Sequence, residues 1–274
     1  MAMGRHWTLD DIPWDRFDPA KVDPELLRAV KAAALVEQNS GDYVTYLCNV
    51  FHDDAEFQAA AHAWGEEEVQ HGQALGRWAV LADPAWDFDA AYRRFTANFR
   101  LPLEATHSVR GSRTGELIAR CVVEVGTSSF YSAIRDAAEE PVLKIVCARI
   151  AGDEFRHYKL FYDQMRRFET TEPLGLGARL MVALSRLNEA EDDELASAYY
   201  AANCPNEPYD RARHAAAYSM RAMPLYRFGH VQRGIGMVLK ACDLNPQGRL
   251  SHYAARLAWS LMRRKIAKAE RLAA

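Results

Sequence analysis

The sequence contains no pair of cysteines spaced C-x-x-C. Its five cysteines (Cys48, Cys121, Cys147, Cys204, Cys242) stand apart, which excludes a zinc ribbon or a rubredoxin-type iron site. They read instead as small buried hydrophobes in a reducing compartment. A basic excess is also missing: the net charge is -3, which argues against a dedicated nucleic-acid binder. No window approaches the ~20 apolar residues that a membrane span needs. The opening stretch "MAMGRHWTLDDIPWDRF" has no apolar run of signal-peptide type, so the expected compartment is the cytoplasm. Period-2 alternation of apolar and polar residues is absent too, and the expected fold class is all-α.

What is present is enough apolar material for a real core, 49% of 274 residues. Prolines stand at 13, 19 and 24, then not again until Pro84, followed by Pro102 and Pro141; proline-free blocks of this length invite helices. The first block holds two helical patterns, about 24–51 and 54–82, reversing near "FHDDAEF", where Asp53 or Asp54 can cap the second. A connection with one short amphipathic piece follows and suits a crossover. Two more helices are expected at about 113–138 and 141–169, Pro141 falling in a first turn behind two acids. The expected organisation is an N-terminal strap (1–23), a four-helix bundle (24–172) and additional C-terminal helices packed on it (173–274), a single domain overall.

Stepping by three or four residues along each helix gives its apolar face. Every face has an acid at its middle: Glu37, Glu68, Glu124 and Glu154. Burying an ionised carboxylate costs several kcal/mol unless it is paired, and here four lie at one depth. A metal is the natural compensation, the alternative being a metal-free bundle whose acids are solvated or paired with arginine. Glu68 with His71, and Glu154 with His157, are separated by about 60° and ~4.5 Å of rise, so each pair can face one ion. Glu37 precedes Glu68 by 31 residues and Glu124 precedes Glu154 by 30, so the halves look like pseudo-repeats. One Glu from each of two helices and a Glu-x-x-His from each of the other two is the inward-facing set of di-iron and di-manganese carboxylate bundles. Glu104-x-x-His107 also fits the short motif but has no acid about thirty residues upstream, and it is set aside. His214, His230 and His252 lack acids at ligand spacing and are read as structural.

Within "GEEEVQHGQAL" the three acids differ. Glu66 lies about 160° from Glu68 and should face solvent. Glu67 precedes His71 by four residues, just as Asp153 precedes His157. Each is a candidate to orient the histidine of the opposite helix, since metal-bound histidines usually donate their other N–H to a carboxylate. The plainer alternative is a flanking surface acid.

Three stretches carry a family resemblance: "AWGEEEVQHGQAL" with Trp, paired acids and His-Gly; "EPVLKIVCARIAGDEFRHYKLFYDQM" with Ile-Ala before Asp-Glu and Arg-His; and "EVGT". Over roughly residues 30–170 the chain resembles the ferritin-like di-iron carboxylate superfamily, and within it the soluble acyl-carrier-protein desaturases. The resemblance implies a ferritin-like four-helix bundle with a crossover connection, in which Glu37, Glu68, His71, Glu124, Glu154 and His157 bind two irons. Manganese or a mixed pair is the alternative filling. It further implies dioxygen activation for desaturation or hydroxylation of an apolar substrate, electrons from an external ferredoxin or flavin-linked reductase, and an acyl carrier protein as a candidate partner. Thr127 would relay protons, or else bond its own backbone. Related sites commonly place Arg before both histidines; here Arg156 fills one position and Gln70 the other. A rubrerythrin-like peroxidase, an N-oxygenase and a non-catalytic metal-binding protein are the rival readings, and a homodimer is a candidate assembly. The basic C-terminal "MRRKIAKAERLAA" reads as a solvated helix end, or as a surface for an acidic carrier or a membrane.

Overall fold

A computed structural model describes residues 7–188 and 193–273. Among these residues every regular element is helical and there is no strand. Helix α1 (Pro24–Gln38) starts at Asp23, whose side chain accepts from the Glu25 and Leu26 amides at 2.8 and 3.2 Å. The single helix expected over 24–51 is interrupted at Asn39, and α2 (Ser40–Val50) continues beyond it. The stretch "QNSG" explains the break, because short polar side chains compete with the helical ladder. Ser40 Oγ donates across to the Gly65 carbonyl at 3.0 Å, and Tyr92 Oη donates to the Gln38 carbonyl at 3.4 Å.

Helix α3 (Ala55–Ala82) is capped by Asp54, which accepts from the Phe57 amide at 2.9 Å, while Asp53 pairs with Arg113 at 2.8 Å. The amphipathic piece of the connection forms α4 (Phe88–Asn98). Helices α5 (Arg113–Ala137) and α6 (Pro141–Phe168) follow, joined by three residues and packed along each other. Such a short connection makes them antiparallel neighbours. Glu140 closes this hairpin: its carboxylate accepts from the Leu143 amide and from Trp78 Nε1, both at 2.7 Å, and from the Asp18 amide at 3.1 Å.

Beyond α6 come α7 (Leu176–Asn188), α8 (Asp193–Asn203), α9 (Arg211–Ala222), α10 (Phe228–Ala241) and α11 (Arg249–Ala273). A 3-10 turn at Met223–Leu225 separates α9 from α10; Pro224 there removes an amide donor and ends α9. Helices α8 and α9 lie against α1, and α7 and α10 against α5. Side chains from residue 268 onward, and so the end of the basic C-terminal stretch, lie outside the described residues, as do residues 1–6 of the strap. Residues 7–23 run as short 3-10 turns, with Trp7 and Ile12 buried. No helix among the described residues is long and apolar enough to cross a membrane.

The core falls into two apolar clusters. One gathers Val30, Ala34, Leu75, Trp78, Ile134, Leu143 and Ile150; the other gathers Val44, Leu47, Phe57, Trp64, Leu117, Cys121 and Phe161. In chain order Glu37, Glu68, Glu124 and Glu154 each fall between members of the two, so the acids form a polar layer with apolar packing on both sides.

Candidate metal centre

Four helices bring six side chains into that layer. Glu37 comes from the last turn of α1, Glu68 and His71 from α3, Glu124 from α5, and Glu154 and His157 from α6, and all are buried, the most exposed at 7%. Their oxygens and nitrogens form two overlapping groups whose members all lie within 4.8 Å of one another. One is Glu37, Glu68, His71 and Glu154; the other is Glu68, Glu124, Glu154 and His157. Glu68 and Glu154 belong to both.

Close helix contact makes this possible. At Gly72 a Cβ would stand 2.6 Å from the Gln38 amide nitrogen and 3.0 Å from the Ala34 carbonyl. Only glycine lets α1 approach α3 so nearly, and the approach sets Glu37 Oε2 3.9 Å from His71 Nδ1. The His-Gly pair in the sequence thus has a packing reason.

The histidines are oriented from outside. His71 Nε2 lies 3.0 Å from Asp153 Oδ2, and His157 Nε2 lies 3.1 Å from Glu67 Oε2. Each carboxylate sits four residues before one histidine in sequence and bonds the other in space. In a neutral ring a carboxylate at Nε2 favours the proton there, which leaves Nδ1 of each ring as the acceptor facing the interior. Arg156 links the two carboxylates, donating to Asp153 and, at 2.8 Å, to Glu67. Glu66 faces the large open groove of about 810 Å³ between the strap, α2 and α3, on the side away from the layer, and Gln70 lines the same groove.

Two contributors were not foreseen in the sequence. Trp7 Nε1 donates to Asp153 Oδ2 at 2.6 Å, and its ring stacks on His71 with 6.1 Å between centroids and 6° between planes. Tyr131 donates its hydroxyl to Glu37 Oε1. Tyr131 lies on the same helical face as Glu124, seven residues on, so its position was readable although its partner was not. Trp7 has no such periodic signal. The Thr127 hydroxyl donates to Glu154 Oε2 at 2.6 Å and also lies 3.2 and 3.3 Å from the Glu124 and Val123 carbonyls of its own helix.

Several polar atoms in the layer lack partners. Glu124 Oε1, Glu154 Oε1 and His157 Nδ1 are buried without a hydrogen bond. His157 Nδ1 does stand 3.0 Å from Glu68 Oε1, but the approach lacks hydrogen-bond geometry. These open atoms belong to residues grouped closely enough that they could hold a cation. Burial, together with the Glu68 and Glu154 charges, pushes the Glu37 carboxyl well above the usual range; burial with Glu154 and Glu68 does the same to Glu124. Glu68 is buried too, yet the charge of His157 and the hydrogen bond from His71 hold it well below that range. Burial alone would lower both histidines, but Asp153, Glu154 and Glu68 raise His71, and Glu68, Glu154 and Glu67 raise His157.

Elsewhere Cys204, Glu207 and His214 also come within 4.8 Å, but Glu207 is exposed and pairs with Arg213 at 2.7 Å. His230, read as structural, bonds Asp136 Oδ2 through Nε2 at 3.0 Å. Glu104 and His107 remain in the α4–α5 connection, both exposed and away from the layer. Compared with known protein families and with curated proteins, the chain finds no match.

Proposed function

We propose that this chain is a ferritin-like bundle of α1/α2, α3, α5 and α6 that holds two metal ions and uses them as an oxidoreductase. The observation that supports it is the pair of overlapping donor groups sharing Glu68 and Glu154, with buried acceptors left open between them. Glu37 and His71 would complete one ion's ligands, Glu124 and His157 the other's. A set of four carboxylates and two imidazoles suits iron and manganese alike, and iron is the filling proposed. The chemistry such ions supply when bound is the reductive activation of dioxygen.

The chain's own residues then do the positioning. Asp153 and Glu67 hold the imidazoles, and Arg156 fixes those two carboxylates against each other. Thr127 holds a proton at Glu154 Oε2, on the side where the layer opens into a cavity of about 60 Å³. Apolar packing on both sides excludes bulk water. In hydroxylation one oxygen atom enters a substrate C–H bond and the other leaves as water, with two electrons and two protons drawn from an external ferredoxin or flavin-linked donor. The cavity's size and its lining by Tyr43, Arg120, Arg186 and Glu194 favour a compact polar substrate over a long acyl chain.

The test is to load the protein with iron, reduce it without oxygen, admit oxygen, and follow the absorbance with and without candidate substrates. Metal content near two ions per chain and product that requires both substrate and electrons are expected. A chain that stays metal-free after iron reconstitution refutes the proposal; continued iron deposition over many turnovers makes it a store rather than an oxygenase.

A further inference from the structure

The cavity beside the acid layer contains a cation that the metal site does not use. Arg120 lies on α5 one turn before Glu124 and lines that cavity. It is 6% exposed, yet it makes no hydrogen bond or ion pair with any described residue, and its Nε is buried without a partner. The other deeply buried arginine and lysine among the described residues are both paired, Lys31 with Asp83 at 2.6 Å and Arg179 with Glu169. Arg120 instead has Tyr43 across its guanidinium face, 4.7 Å from the ring centre, and Trp64 at 6.0 Å. Aromatic faces hold the plane of a guanidinium but leave its in-plane donors open.

Glu194, which lines the same cavity, is engaged by the Tyr43 hydroxyl at 2.7 Å. The cavity, of about 60 Å³, is lined by Glu37, Glu68, Glu124 and Glu154 as well as by Arg120, so a group held at Arg120 lies directly beside those acids. A buried flat donor fork with no acid paired to it matches a carboxylate, whose two oxygens accept from arginine side by side.

We propose that Arg120 receives the carboxylate of a small organic acid and so sets the acid's remaining carbons beside Glu124 and Glu154. This rests on the di-metal reading above, which identifies the neighbouring acids as metal-facing.

The experiment is calorimetric titration of manganese-loaded protein with acetate, butyrate and benzoate, each beside its neutral amide. Each acid is expected to bind at least tenfold more tightly than its amide, with the preference lost in Arg120→Gln and reduced in Arg120→Lys, both variants retaining the wild-type metal content. Equal binding of acid and amide overturns the inference, and so does acid binding that survives Arg120→Gln, which would mean that the carboxylate sits on the metals alone. If Arg120→Gln fails to fold by circular dichroism, Arg120→Lys decides: undiminished acid preference there overturns the claim that the guanidinium fork is the recognising group. Wild-type protein that takes up no metal sinks both readings, whereas full metal content without acid preference sinks only this one.

Discussion

Replacing Gly72 by alanine tests whether the approach of α1 to α3 builds the site. The added Cβ would meet the Gln38 amide nitrogen at 2.6 Å and the Gln38 Cα at 2.8 Å, which are backbone atoms that no rotamer change can move aside. Restoring an ordinary contact needs about 0.8 Å more separation, which exceeds the ~0.5 Å within which a preorganised site must be held. Overpacking of this kind costs about 1–3 kcal/mol, enough to outweigh the roughly 1 kcal/mol that alanine gains over glycine inside a helix. Glu37 would move with α1, so the ion shared with His71 should be lost first. Gly152 supplies the control: it is also helical, it adjoins Asp153, and a Cβ there meets nothing within 4 Å. Gly152→Ala should be neutral or slightly stabilising with full metal content, while Gly72→Ala should melt several degrees lower, at about 2–4 °C per kcal/mol for a chain of this size, and bind about one ion fewer. Thermal melts and elemental analysis of the reconstituted proteins read both quantities. If the two variants match in stability and metal content, the argument from close approach is wrong.

Two further perturbations separate the outer contacts from the ligands. Asp153→Asn keeps the size of the group next to His71 Nε2, Trp7 Nε1 and Arg156 but removes its charge; metal affinity should fall about 10–100-fold by competition with a chelator, and unchanged affinity would show that His71 needs no carboxylate behind it. Asp54 caps α3 and pairs with Arg167 at 2.6 Å; although burial acts to raise its carboxyl, the Phe57 amide and Arg167 hold it below the usual range. Its folded value is depressed, so its contribution is present above the unfolded value of about 3.9 and is lost as pH falls through the folded value. The stability gap between wild type and Asp54→Ala, about 1 kcal/mol at pH 7, should therefore narrow toward pH 3 in denaturant titrations; a gap that stays constant would refute the assignment.

The helices and the positions of the four acids were legible because they are local. Helical periodicity fixes which residues share a face, and intervals of 31 and 30 residues across two tight reversals bring acids to one level whatever the rest of the chain does. The same reasoning put Glu67 and Asp153 beside histidines. It misplaced continuity where short polar residues sit inside an otherwise helical pattern, at Asn39, since a periodic face persists through a single break. Tertiary structure alone decided what meets across the layer: Trp7 reaches Asp153 from 146 residues away, Tyr131 reaches Glu37 from 94, and Arg120 is enclosed by Tyr43 and Trp64 without an acid to pair with. Such contacts depend on how separate helices are translated and rotated against one another. Side-chain volume at the crossings sets that packing, and it leaves no periodic trace in the sequence.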